Sequence, residues 1–360
     1  MIKFLQRSAT VLLATLALTA QAAPAQPSVV RIGVASPLVG SPPSFTLGGL
    51  GVAYTKGWVD EELKKQGIKV EWTFFKGAGP AVNEAVTNKQ LDFALQGDLP
   101  SIVARSVGLK TRIIAMTQVR SAIYLATPPG SSIKSVKDLK GKRVAIFLGT
   151  NSQLPVDRVL AANGLSEKDL RVVNLDTGSM DAAIASKSID AAFGDIDLLA
   201  LRDRGLAQIV YTTRGVAPEF TRQSALLVTD DFANQYPEAT TAVVRGILRG
   251  ARWVADPANE GELYPLWARM GFGEKILRES FSGDTLKAQF SPLLDDFAVA
   301  RYKDAAAQTL QLKLARAPIQ VEPWFDRRFL NEALKQSQLQ AFWQPVDAHG
   351  KPAAAQVAGK

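Results

Sequence analysis

The sequence predicts an α/β protein of two domains, with largely parallel sheets and helices on their faces. Three observations carry this. Apolar, β-type runs alternate with stretches of helical spacing through most of the chain, the order that builds parallel sheets. At three places an apolar run enters a Gly-containing turn and then a helix start: Glu71–Lys76 into Gly77-Ala78-Gly79-Pro80, Leu91–Gln96 into Gly97-Asp98-Leu99-Pro100-Ser101, and Arg143–Leu148 into Gly149-Thr150-Asn151-Ser152. The 360 residues also suffice for two domains of ordinary size, and the apolar fraction of 47% supplies a sizeable core.

Taken in order, Val29–Val34 reads as the first strand. Gly40–Gly51 is rich in Gly, Pro and Ser and reads as a loop. Residues 52–65 have helical spacing and a Glu/Lys-rich end. Pro80 opens a short helix over 80–89, since a first-turn proline sacrifices no helical hydrogen bond. Asp98 and Pro100 open another over 100–107. Thr111–Met116 and Ser121–Ala126 are strands, and the polar segment 136–142 precedes the strand 143–148. Asn163-Gly164 ends a helix over 154–162. Strand Val172–Leu175, helix 180–187 and strand Ile189–Phe193 follow, then strands Gln208–Tyr211 and Ser224–Val228. From 237 the chain is mainly helical: Pro237 opens Glu238–Val254, whose Val243, Val244, Ile247, Leu248 and Ala251 share one face, and Pro257 closes it. The tail after Gln344 reads as frayed.

The three turns bear on function. Each leaves the first N–H groups of a helix unpaired at the positive end of its dipole, where a small anion fits without Lys or Arg. Net charge is +8, an excess that steers anions inward or simply makes a basic surface. No dense Lys/Arg run with interleaved aromatics is present, so nucleic acid is not an expected partner. With no Cys, thiol chemistry, disulfides and lipid attachment at Cys are excluded. His349 is the single histidine, so a Ser-His-Asp triad or a His-bearing zinc site is poorly supplied. An enzyme is therefore not expected, and neither is a cofactor or a metal.

The front of the chain carries an export signal. Lys3 and Arg7 precede the apolar run Val11–Leu18, and Ala20-Gln21-Ala22 forms an A-x-A cleavage site. The run is well short of the roughly 20 residues that a spanning helix needs. Residues 1–22 are thus expected to be a cleaved signal peptide, and no later stretch is long and apolar enough to cross a membrane.

Beyond these features, Leu91–Pro100 matches a "D-x-x-x-x-G-D-x-P" stretch, and Ile133–Ala145 an "I-x-x-x-x-D-L-K-G-K-x-V-A" segment. Gly149-Thr150-Asn151-Ser152, and Gly79-Pro80 followed by Glu84-Ala85, fit the same pattern. In these residues, over about Val30 to Leu330, the chain resembles the periplasmic substrate-binding proteins of ABC importers, in the branch for aliphatic sulfonates, taurine and nitrate. The resemblance implies a two-lobed fold with two crossover strands at the hinge, Ser121–Ala126 and Ser224–Val228. Lobe 1 would be 29–122 plus 225–330, lobe 2 123–224, and 331–360 a C-terminal tail. It implies a monomer in the periplasm that delivers a small anionic solute, an aliphatic sulfonate or else nitrate or another anion, to an inner-membrane permease. The same closed form would serve a sensor that presents its ligand to a receptor. The contacts it transfers are Gly79, Gly97 and Asp98 from lobe 1 and Thr150, Asn151 and Ser152 from lobe 2. Thiamine-pyrimidine synthesis enzymes share this fold, but with His and Cys motifs that this chain lacks.

Where relatives have an aromatic-Asp-Pro sequence, this chain has Ala192-Phe193-Gly194-Asp195-Ile196-Asp197, which implies a smaller and more acidic cleft wall. The loop Ser36–Leu50 is also longer than usual. Plainer roles stand beside the functional ones. Asp98 suits a helix N-cap, and so do Thr150, Asn151 and Ser152. Asp195 and Asp197, at i, i+2, point to one side of an extended segment, facing a cationic group, a metal or solvent. Arg120 and Arg222 lie near the expected crossovers, where they pair with an anion or sit on the surface.

Overall fold

The computed structural model describes residues 26–41 and 43–353. The expected signal peptide lies outside the described residues. Two five-stranded sheets organise the rest. The first has the order β2 (Lys69–Phe74), β1 (Val29–Val34), β3 (Phe93–Gly97), β10 (Arg222–Thr229), β4 (Thr111–Ser121). The second has β7 (Arg171–Asn174), β6 (Arg143–Ile146), β8 (Ala191–Gly194), β5 (Tyr124–Thr127), β9 (Gln208–Thr212). Neither sheet is wholly parallel. β10 runs against β3 and β4, and β5 against β8 and β9. These are the two strands that follow a passage from the other sheet, so each enters its sheet in the reverse direction.

The first passage breaks what reads in sequence as one strand, Ser121–Ala126. β4 continues through Ser121, Ala122 and Ile123 make the passage, and β5 begins at Tyr124. The second passage is the segment 213–221. Ser224–Val228, expected to cross, lies wholly within the first sheet.

Apolar residues of period two cover both faces of the second sheet. Leu125, Val144, Ile146 and Phe193 pack on one side with the helix Gln153–Ala162. Tyr124, Ala126, Ala145 and Ala192 pack on the other with the helices Thr177–Ala185 and Ile196–Asp203. The first sheet is buried beneath the helices Pro237–Val254, Asp296–Gln311 and Arg327–Gln336.

Four local differences from the sequence reading have clear causes. The expected helix over 52–65 is two, Gly49–Thr55 and Trp58–Lys64, because Gly57 takes a left-handed conformation between them. The first of these begins inside the expected loop. Leu263, Trp267, Leu277, Phe281 and Phe290, expected with lobe 1, share a core with the second sheet's helices, and Arg202 joins Glu279 through two bonds of 2.7 Å. The C-terminal segment is packed through Ala353 rather than frayed. Trp343 is buried, Val346 N–H donates to Asp295 Oδ2 (3.1 Å), and Arg120 Nη2 donates to the Gly350 carbonyl (3.1 Å).

Candidate functional site

The C-terminal ends of β3, β6 and β8 open toward a cleft between the two lobes, and each leads directly or through a turn into a helix. Two adjoining chambers occupy this cleft, one of about 120 Å³ and one of about 460 Å³. Both are lined by Ser36, Phe45, Thr46, Leu47 and Gln118, so the long first loop roofs the whole site.

Gly79, Gly97, Thr150 and Asn151 line the smaller chamber together. Gly97 caps the helix Asp98–Ser106 and touches the opposite lobe: a Cβ there would lie 2.2 Å from Asn151 Cβ. Gly79 is equally constrained, since its Cβ would meet Pro100 Cγ at 2.3 Å. Asn151 Nδ2 donates to Ser224 Oγ (3.2 Å), which joins the second lobe to β10. At the mouth of the cleft, Lys76 and Asp176 face each other at 3.6 Å.

The hydroxyl of Thr150 is already used. It donates to the Phe147 carbonyl (2.7 Å) and accepts from Ser152 N–H (3.3 Å), so it shapes the turn and has no proton left for a ligand. Ser152 lines the larger chamber, where its Oγ lies 3.5 Å from Arg222 Nη1.

Asp98 is absent from both chamber walls. It is 4% exposed, and its Oδ1 accepts from Leu99 N–H at 2.8 Å. It is the first helical residue, not the cap. Burial pushes its carboxyl up to about 7, against the pull of that N–H and of Arg158 and Arg222.

Arg222 is the central cation of the larger chamber. It is 8% exposed, so the surface placement weighed from sequence does not hold. Its Nη2 donates to Ser121 Oγ (2.9 Å), to the Ala122 carbonyl (3.1 Å) and to Asp195 Oδ2 (2.5 Å). One guanidinium at the start of β10 thus grips the first passage and the second lobe. Asp195 caps the helix Ile196–Asp203 through its Oδ1, which accepts from Ile196 N–H at 2.8 Å. Asp197 lies in that helix's first turn rather than on an extended segment, and it too lines the chamber. Burial and the neighbouring Asp195 raise its carboxyl to about 6. Asp181 stands nearby, raised to about 7 by burial and by Asp197. Apolar surface of Met180, Phe193, Phe272 and Phe281 completes this wall.

Arg120 lies elsewhere. It pairs with Asp284 (2.8 Å), stacks on Phe297 and lines a separate pocket with His349. No three His, Cys, Asp or Glu side chains come together as metal ligands among the described residues. Asp181 and Lys76 are not marked in the sequence, and the first loop is marked there by its length but not as the roof. All three join the site only through tertiary contact.

Comparison with known proteins places this architecture. Residues 44–260, more than half of the chain, match the family described as NMT1/THI5 like, and the chain belongs to that family. It is 31% identical to a solved structure named as the periplasmic sulfonate-binding protein SsuA from Methylobacillus flagellatus KT, covering 89% of this chain and 97% of that one with a TM-score of 0.75. A Bacillus subtilis (strain 168) chain that carries the name of an aliphatic sulfonates-binding protein is 24% identical over 79% of this chain and 84% of its own length. The desulfurization enzyme DSZB shares the fold at 16% identity, with a TM-score of 0.64 over 86% of this chain and all of that one.

Proposed function

We propose that the protein is the solute-binding component of an ABC importer and that it captures an organosulfonate in the interlobe cleft. In this reading it works in the periplasm and hands its closed form to an inner-membrane permease. No helix among the described residues is long and apolar enough to cross a membrane.

The observation that carries the reading is Arg222, a buried cation facing a roomy chamber and touching both lobes. The sulfonate oxygens take the guanidinium and the Ser152 hydroxyl, and Gly79, Gly97, Thr150, Asn151 and Asp195 form the walls around the ligand. Asp195 holds the guanidinium in the absence of ligand, as a competing carboxylate. Charge-assisted bonds of about 1.5–3 kcal/mol each, with burial of an alkyl chain on Phe193 and Phe281, reach the roughly 8 kcal/mol of micromolar binding. A chamber of about 460 Å³ is far larger than nitrate needs, which favours an organic anion.

The lobes act by hinge closure at the two passages. In this reading the site binds without catalysis; neither chamber is lined by His or Cys, and its acid–base groups are the carboxyls of Asp181 and Asp197. Titration calorimetry with alkanesulfonates, nitrate and sulfate tests the function. Micromolar binding of an alkanesulfonate without release of sulfite is expected. Failure of every sulfonate, or tighter binding of nitrate, overturns it.

A further inference from the structure

Gln96 is the penultimate residue of β3 and is 6% exposed. Its amide has one orientation. The Pro100 carbonyl can only accept, so it takes Asn83 Nδ2 at 2.8 Å. That leaves Asn83 Oδ1 to accept from Gln96 Nε2 at 2.9 Å. Gln96 Oε1 is therefore turned the other way, beside Gly79, where a Cβ would lie 3.1 Å from it. This oxygen is buried and has no hydrogen-bond partner among the described residues, and its residue lines the 120 Å³ chamber.

The hydroxyls around it repeat the pattern. Ser36 Oγ donates to the Phe45 carbonyl (2.8 Å), Thr46 Oγ1 to the Leu47 carbonyl (3.1 Å) and Thr150 Oγ1 to the Phe147 carbonyl (2.7 Å). Their lone pairs are what remains for the chamber. No Lys, Arg or His lines it among the described residues. Thr117, Gln118, Asn151 and Ser224 supply neutral donors there, whereas the cations that suit an acid group, Arg222 and Lys76, stand in the larger chamber with Ser152.

We propose that Gln96 reads a hydrogen-bond donor, an ammonium or a hydroxyl, on the ligand's end remote from its acid group. This rests on the reading that the ligand is an organosulfonate held at Arg222. The chambers adjoin through five shared lining residues, and in this proposal one ligand reaches from the larger into the smaller. A methyl-ended ligand leaves the Gln96 oxygen unmet. A site built around a buried acceptor rejects such an analogue more strongly than an apolar pocket rejects an added group.

Calorimetry on the wild-type protein, with matched alkanesulfonates of about two to six carbons ending in methyl, hydroxyl or ammonium, tests this. At the best length a donor-ended ligand should bind roughly tenfold or more tightly than its methyl-ended counterpart. The hydroxyl and ammonium arms identify the donor. Gln96→Met, similar in volume but without the amide, should bring the pair within about threefold. Equal affinities in the wild type overturn the proposal, as does a preference that survives in Gln96→Met. If that variant does not fold, the wild-type comparison decides alone. Binding of methyl-ended sulfonates without preference removes only this inference. Binding of no sulfonate removes the functional reading and this inference together.

Discussion

Replacing Arg222 with Met keeps an aliphatic stem and removes the guanidinium, and its consequences divide between stability and binding. Four protein groups lose a partner: Ser121 Oγ, Ser152 Oγ, the Ala122 carbonyl and Asp195 Oδ2. The Asp195 side chain is 40% exposed, so water takes over its charge at little cost. Ala122 is half-buried and lines two cavities, so water replaces part of the bond to its carbonyl, and the loss costs about 0.5–1.5 kcal/mol of stability. The ligand loses one charge-assisted bond, about 1.5–3 kcal/mol, or roughly tenfold to a hundredfold in Kd. Urea melts report the first quantity, and calorimetry on the folded variant reports the second. A folded Arg222→Met protein that binds an alkanesulfonate within twofold of wild type would refute the placement of the acid group.

Three further outcomes follow from the same geometry. Asp195→Asn keeps a competent helix cap and removes the carboxylate that competes for Arg222; calorimetry should show tighter sulfonate binding, and a weaker Kd would count against the competition. Thr150→Val removes the bond to Phe147 and the one from Ser152; stability should fall by about 1–3 kcal/mol with Kd changed less than about threefold, and a large loss of affinity in a folded variant would return the hydroxyl to the ligand. Asp98, Asp181 and Asp197 have carboxyls raised from 3.8 to about 7, 7 and 6 by burial. The folded protein therefore holds protons that the unfolded chain has released, so stability falls as pH rises from about 4 to about 7; a melting point no higher at pH 5.5 than at pH 8 would contradict this.

Local signals in the sequence were good at naming helices and turns and poor at aiming side chains. The Pro237–Val254 helix is legible because Pro237 starts it and its apolar positions recur at helical spacing. The Gly97 and Gly149-Ser152 turns are legible because glycine and small polar residues mark a strand passing into a helix. The use of each group in those turns is set by tertiary neighbours. Asp98 turns to its own helix, and Thr150 spends its proton on Phe147. Sequence places Arg222 near an expected crossover, where an anion partner and a surface position are both open to it. Its burial depends on Asp195 and Ala122, distant in sequence and brought together by the two passages. The packing of the C-terminal segment has the same origin, since Trp343 and the Gly350 carbonyl find their partners far upstream.

The decisive measurement is a co-crystal structure with an alkanesulfonate. The sulfonate should lie between the lobes, one oxygen within hydrogen-bonding distance of the Arg222 guanidinium and another near Ser152 Oγ, with its chain running toward Gln96. A sulfonate bound outside the cleft, or bound within it while Arg222 remains committed to Asp195 alone, would rule out Arg222 as the anion's anchor.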